Sequence, residues 1–90
     1  IDPVFYGQGS GGVDYPPGQC QITVAAGAPA YDQPNGTVKG QFVSGGTLES
    51  QRRETVNSTD WYRVRVQIDA QPTDLWVSSV NLTAVGSGCY

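Results

Sequence analysis

The sequence predicts a small all-β domain, a barrel or sandwich of five short strands. Three observations carry this expectation. Twelve glycines and six prolines interrupt every window except roughly 47–71, which leaves little room for long helices. The run Trp61-Tyr62-Arg63-Val64-Arg65-Val66 alternates with a period of two, the mark of a half-buried strand. Clusters of Gly, Pro, Asn, Asp and Ser separate the short apolar runs that follow residue 20.

Residues 1–19 hold five glycines and three prolines without sustained alternation and read as an irregular arm or linker, part of which lies against the domain. The domain itself is assigned to 20–90. "CQITVA" places Cys20, Ile22 and Val24 on one face of a first strand. "AGAPAYDQPNG" (26–36) has the composition of a long loop, and "TVKGQFV" (37–43) is a strand bent or bulged at its glycine. "SGG" (44–46) turns the chain into "TLESQRRETV" (47–56). Leu48, Arg52, Thr55 and Val56 fall at helical spacing there, but the flanking strands argue for a strand.

The four residues "NSTD" (57–60) then form a tight turn, which sets Glu54 opposite Arg63 unless a bulge shifts the pairing. In 61–68, Tyr62, Val64 and Val66 face the core, while Trp61, Arg63 and Arg65 face the other way. After a turn at 69–74, "LWVSSVNLTAV" (75–85) gives a short strand, a single helical turn near Ser78–Val80 and a last strand.

Composition excludes several functions. The net charge of −3, with only five Lys and Arg, argues against nucleic acid, whose phosphates need a basic stripe. No apolar stretch approaches the ~20 residues of a membrane-spanning helix. The opening "IDPVFYGQGS" shows no signal peptide, which decides nothing about compartment. With no histidine and no CxxC pair, neither a zinc site nor any other metal or cofactor site is expected. The same lack leaves Ser or Cys nucleophiles without their usual base, and the carboxylates are few and mostly in turns, so no enzyme is expected. Cys20 and Cys89 are then either two free thiols or a disulfide. We expect the disulfide, which closes a loop between residues 69 apart and belongs outside the cytoplasm.

In their order, the opening strand, "APAYDQP", the polar hairpin, "DWYRVRV" and "LWVSSVNL" resemble the bacterial SH3-like (SH3b, type 3) domains of extracytoplasmic and cell-wall-associated proteins. The resemblance spans residues 20–85, and Asp60-Trp61-Tyr62-x-Val64 and Trp76-Val77 with Leu82 are its most specific pieces. It implies a small five-stranded SH3-like barrel whose first and last strands are neighbours, bringing Cys20 and Cys89 within bridging distance. It also implies a ligand groove between the long loop and the hairpin tip. Eukaryotic members carry Ala-Leu-Tyr-Asp-Tyr there. Here Ala30-Tyr31-Asp32-Gln33-Pro34 keeps one tyrosine, and Trp61 stands where their central strand begins with tryptophan. Ser78-Ser79-Val80-Asn81 lacks the proline and tyrosine of their later Ser-Pro-x-x-Tyr, which disfavours proline-rich ligands.

The expected function is therefore a non-catalytic binding or targeting module of a larger extracytoplasmic protein, with cell-wall glycan or peptide, or a protein segment, as partner. Its expected site is Tyr31, Asp32 and Trp61. The alternative is a structural spacer or oligomerisation domain. For Trp61 the competing role is an aromatic packed over the long loop, and Trp76 reads as core. Arg52, Arg53, Arg63 and Arg65 read as a solvated sheet face with Glu49 or Glu54 partners rather than as an anion site. Three Asn-x-Ser/Thr sequences, at Asn35, Asn57 and Asn81, read as chance occurrences given the bacterial resemblance.

Overall fold

A computed structural model describes residues 12–89. They form one antiparallel sheet of eight strands: β1 (Val13–Asp14), β2 (Cys20–Val24), β3 (Pro29–Tyr31), β4 (Val38–Gln41), β5 (Gly46–Val56), β6 (Thr59–Ile68), β7 (Gln71–Ser78) and β8 (Leu82–Val85). A 3-10 turn, Ser79–Asn81, joins β7 to β8. The strand order is β4-β3-β7-β6-β5-β2-β8, with β1 paired to β5. The all-β class holds. The five-stranded closed barrel does not: there are eight strands, and β4 and β8 end the ladder without pairing to each other.

Two of the strands, β1 and β3, come from segments whose composition suggested loop. Val13 and Asp14 pair with Arg53 and Arg52, and Tyr15 is buried in the core. Within 26–36, Pro29–Tyr31 pairs with β4, and the register slips where Lys39 stands as an extra residue beside Gly40. That slip is the bulge its glycine foretold. Proline is tolerated in β3 and β7 because both Pro29 and Pro72 lie at a strand end.

Both long hairpins turn in two residues, not in the four of "NSTD" or the six of "DAQPTD". Asn57 and Ser58 have φ of 52° and 66°, and Asp69 and Ala70 have 51° and 63°. Two left-handed residues in succession make the turn whose twist matches paired strands. Val56 therefore faces Thr59, and Glu54 faces Trp61 rather than Arg63; Arg52 takes the place opposite Arg63. A second shift between Ser50 and Arg52 makes Gln51 an extra residue in β5. It exchanges the faces of the strand, so that Leu48 and Ser50 point inward before it, and Arg53 after it.

Ile22, Val24, Tyr62, Val64 and Val77 form the inner core with Tyr15, Ala28 and the two cysteines. Val66 is half-buried against it, as the alternation requires. β2 and β8 are neighbours, and the Cys20–Cys89 disulfide forms with Cα atoms 4.6 Å apart. A side chain at Gly88 would strike the Gln19 carbonyl oxygen, so only glycine lets the chain pass close enough to close the bond. In the chain-entropy view this cross-link removes on the order of 4 kcal/mol of unfolded-state freedom, comparable to what the core of so small a domain supplies.

Two outcomes follow. Val64 is fully buried, so Val64→Asp places an unpaired carboxylate in the core and unfolds the domain, whereas exposed Arg65→Ser leaves circular dichroism and melting nearly unchanged. Ser58→Gly relieves a left-handed non-glycine residue and stabilises by about 0.5–1 kcal/mol, a Tm rise of roughly 4 °C.

Candidate functional site

Of the residues singled out from sequence, Tyr31, Trp61, Trp76, Arg52, Arg63 and Arg65 lie on the outer face of the sheet. Cross-strand pairing lays Tyr31, Trp76, Arg63, Arg52 and Asp14 side by side across five strands. A second row runs Ser78, Trp61, Glu54, and a third Asp74, Arg65. Tyr31 and Trp61 meet edge to face, with ring centroids 4.9 Å apart and planes at 89°. Such aromatic pairs contribute about 0.5–1.5 kcal/mol beyond their burial. Small Ser78, opposite Trp61, leaves room for the rings to meet, and its hydroxyl accepts from the Val80 N–H that starts the 3-10 turn.

Burial divides the roles. Trp61 is only 6% exposed and Trp76 8%, while Tyr31 is half-buried. Tyr31 thus offers the open ring, and Trp61 braces it from beneath. Asp32 is brought to the same corner, but its carboxylate works locally. Its Oδ1 accepts from the Thr37 N–H at 2.9 Å, and its own N–H donates to the Thr37 carbonyl at 3.0 Å, closing the loop beyond Tyr31.

The arginines have individual surroundings. Arg52 lies between two carboxylates, Asp14 Oδ1 at 2.6 Å and Glu54 Oε2 at 2.8 Å, and these hydrogen bonds raise its pKa. Arg65 pairs across the strands with Asp74 at 2.9 Å, a bond that holds the Asp74 carboxyl below its ordinary value. Such exposed pairs set side-chain positions more than stability. Glu49 accepts from the backbone N–H of Gly18 instead of meeting an arginine. Arg63 stands directly opposite Trp76, its Nε buried and without a hydrogen-bond partner among the described residues.

Arg53 is on the inner face, opposite Tyr62 and beside the Tyr15 phenol. Burial first, and then the Asp60 carboxylate, push the Tyr62 phenol up; Arg53 opposes them without winning. Burial likewise raises Tyr15. Among the described residues no three His, Cys, Asp or Glu gather as metal ligands, and no helix is long and apolar enough to cross a membrane.

Sequence reasoning missed a second feature. At the far end of the inner face, β4 and the segment after it stand away from the β6–β7 hairpin and leave an apolar recess of about 500 Å³. Phe42, Val43, Leu48, Val66, Ile68 and Leu75 line it. The signal in the sequence was the apolar end of the alternation, Val66 and Ile68, which runs past the residues able to cover it. Comparisons of the chain with protein-family models, with curated proteins and with solved structures found no match.

The raised phenols set an alkaline test. Each holds its proton more tightly folded than unfolded, so its contribution to stability is present below the ordinary phenol value near ~10 and is lost as pH rises through the higher folded value. Ultraviolet phenolate absorbance should show Tyr15 and Tyr62 titrating late, with ionisation that accompanies unfolding, and Tyr62→Phe should remove part of that late absorbance.

Proposed function

We propose that this domain is a non-catalytic binding module of a larger extracytoplasmic bacterial protein, of the SH3-like kind, and that it takes cell-wall glycan or peptide at the corner of Tyr31, Asp32 and Trp61. The observation that carries this reading is the half-exposed Tyr31 ring held edge-to-face on a buried Trp61. A braced aromatic presents a flat apolar surface at little conformational cost, and the loop beside it carries polar groups for orientation. The adjacency of β2 and β8, and the 3-10 turn ahead of β8, support kinship with SH3-like folds. The disulfide supports an oxidising compartment.

The spacer reading has one observation in its favour: Trp61 spends nearly all of its surface inside the domain. The two readings separate on paired variants, assayed by capture of solubilised peptidoglycan fragments and teichoic polymer beside a melting curve. In a binding module, Tyr31→Ala weakens capture more than tenfold, about 1.4 kcal/mol, and lowers Tm only by the loss of one aromatic pair. Trp61→Ala empties a core-like site and costs about 3–5 kcal/mol of stability. If the parent protein captures neither polymer and Tyr31→Ala changes only Tm, the domain is a spacer.

A further inference from the structure

The recess at the far end of the inner face lies opposite to the Tyr31–Trp61 corner, and its surroundings say what fits it. β4 is an end strand of the sheet: it pairs with β3 on one side, and no described residue pairs with it on the other. Val38, Lys39, Gly40 and Gln41 are all exposed. Their outward N–H and C=O groups form a template that an extended backbone can satisfy and that a helix or a compact small molecule cannot. Beside this edge the recess floor is apolar and open, with Val43 84% and Ile68 41% exposed at its rim.

Two residues refine the occupant. Lys39 is, among the described residues, the only charged side chain lining the recess, so within the recess a carboxylate is favoured at that point. Gly40 faces open space: a Cβ there would meet no atom within 4 Å. Because Lys39 is an extra residue in β4, the backbone edge offers three ladder positions, about 10 Å at ~3.3 Å per residue, to an added strand, and alternate side chains of that strand point into the recess.

We propose that this edge and recess bind an extended peptide by strand addition, with apolar, β-branched side chains at alternate positions in the recess and an acidic group on Lys39. This site is separate from the Tyr31 corner and does not depend on the reading given to it.

The probe is a fluorescein-labelled peptide of alternating valine and threonine with one central glutamate. Its controls are the same peptide with a central proline and with lysine in place of glutamate. Anisotropy should show saturable binding of the glutamate peptide and at least tenfold weaker binding of both controls. Gly40→Phe fills open space, so the variant folds with wild-type melting and loses the peptide at least tenfold. Lys39→Glu reverses the preference between the glutamate and lysine peptides. Tyr31→Ala leaves all of this unchanged. Absence of saturable binding overturns the proposal, as does binding that survives Gly40→Phe or is indifferent to proline. A dimer in light scattering that Gly40→Phe dissolves, with no peptide bound, overturns it in favour of a second copy at the same edge.

Discussion

The fold depends on one irregularity in β5. Before Gln51 this strand lies against β2, and after it against β1 and β6, so it belongs to both halves of the sheet. The change occurs at Ser50, fully buried, with Cys20 on one side and Val64 on the other. A bulge leaves ladder groups unpaired, and here the Ser50 hydroxyl lies 3.0 Å from the carbonyls of both Arg52 and Arg63. The extra residue sends Arg52 and Glu54 outward and Arg53 inward. Without it, Arg52 would be driven into the core and its pairing with Asp14 and Glu54 would vanish.

The same bulge explains what was hard to read in the sequence. A period of two is legible only while the strand is regular, and "DWYRVRV" is regular, so its inward Tyr62 and Val64 could be assigned directly. In 47–56 the inward positions are Leu48 and Ser50 and then Arg53, a skip at Gln51 that breaks the period of two and leaves the segment without a regular strand signature. Hairpin register was illegible for a related reason. "NSTD" has turn composition over four residues, but whether two or four of them turn depends on Asn57 and Ser58 accepting left-handed backbone, which composition does not fix. β1 and β3 were illegible because each is only two or three residues long and is stabilised by its neighbours rather than by its own pattern.

The site was half legible. Aromatic type and position brought Tyr31 and Trp61 to one corner, and the two rings do touch. Exposure could not be inferred, because it depends on the width of Ser78 and on how β3 folds over β7, both tertiary facts. Trp61 therefore became a support and Tyr31 the open surface. Asp32 proved to be occupied with Thr37. The recess was invisible for the opposite reason. Each of its residues looks like ordinary core, and only the open ladder between β4 and β8 leaves them uncovered.

The Cys20–Cys89 bond also decides how the domain responds to mechanical load. Tension that enters the chain ahead of Val13 and leaves beyond Cys89 travels through the sulfur bridge, because that covalent route is far shorter than the 69-residue path through the sheet. The force then bears on β1 and on the seat of Tyr15, two paired residues and one ring, and leaves β2 to β8 unloaded. With the bridge intact, stretching peels away only that short strap. With the bridge reduced, roughly 230 Å of hidden contour length is released, at ~3.3 Å per residue. Under such load the outer aromatic corner and the open edge keep their register while only the short strap is pulled.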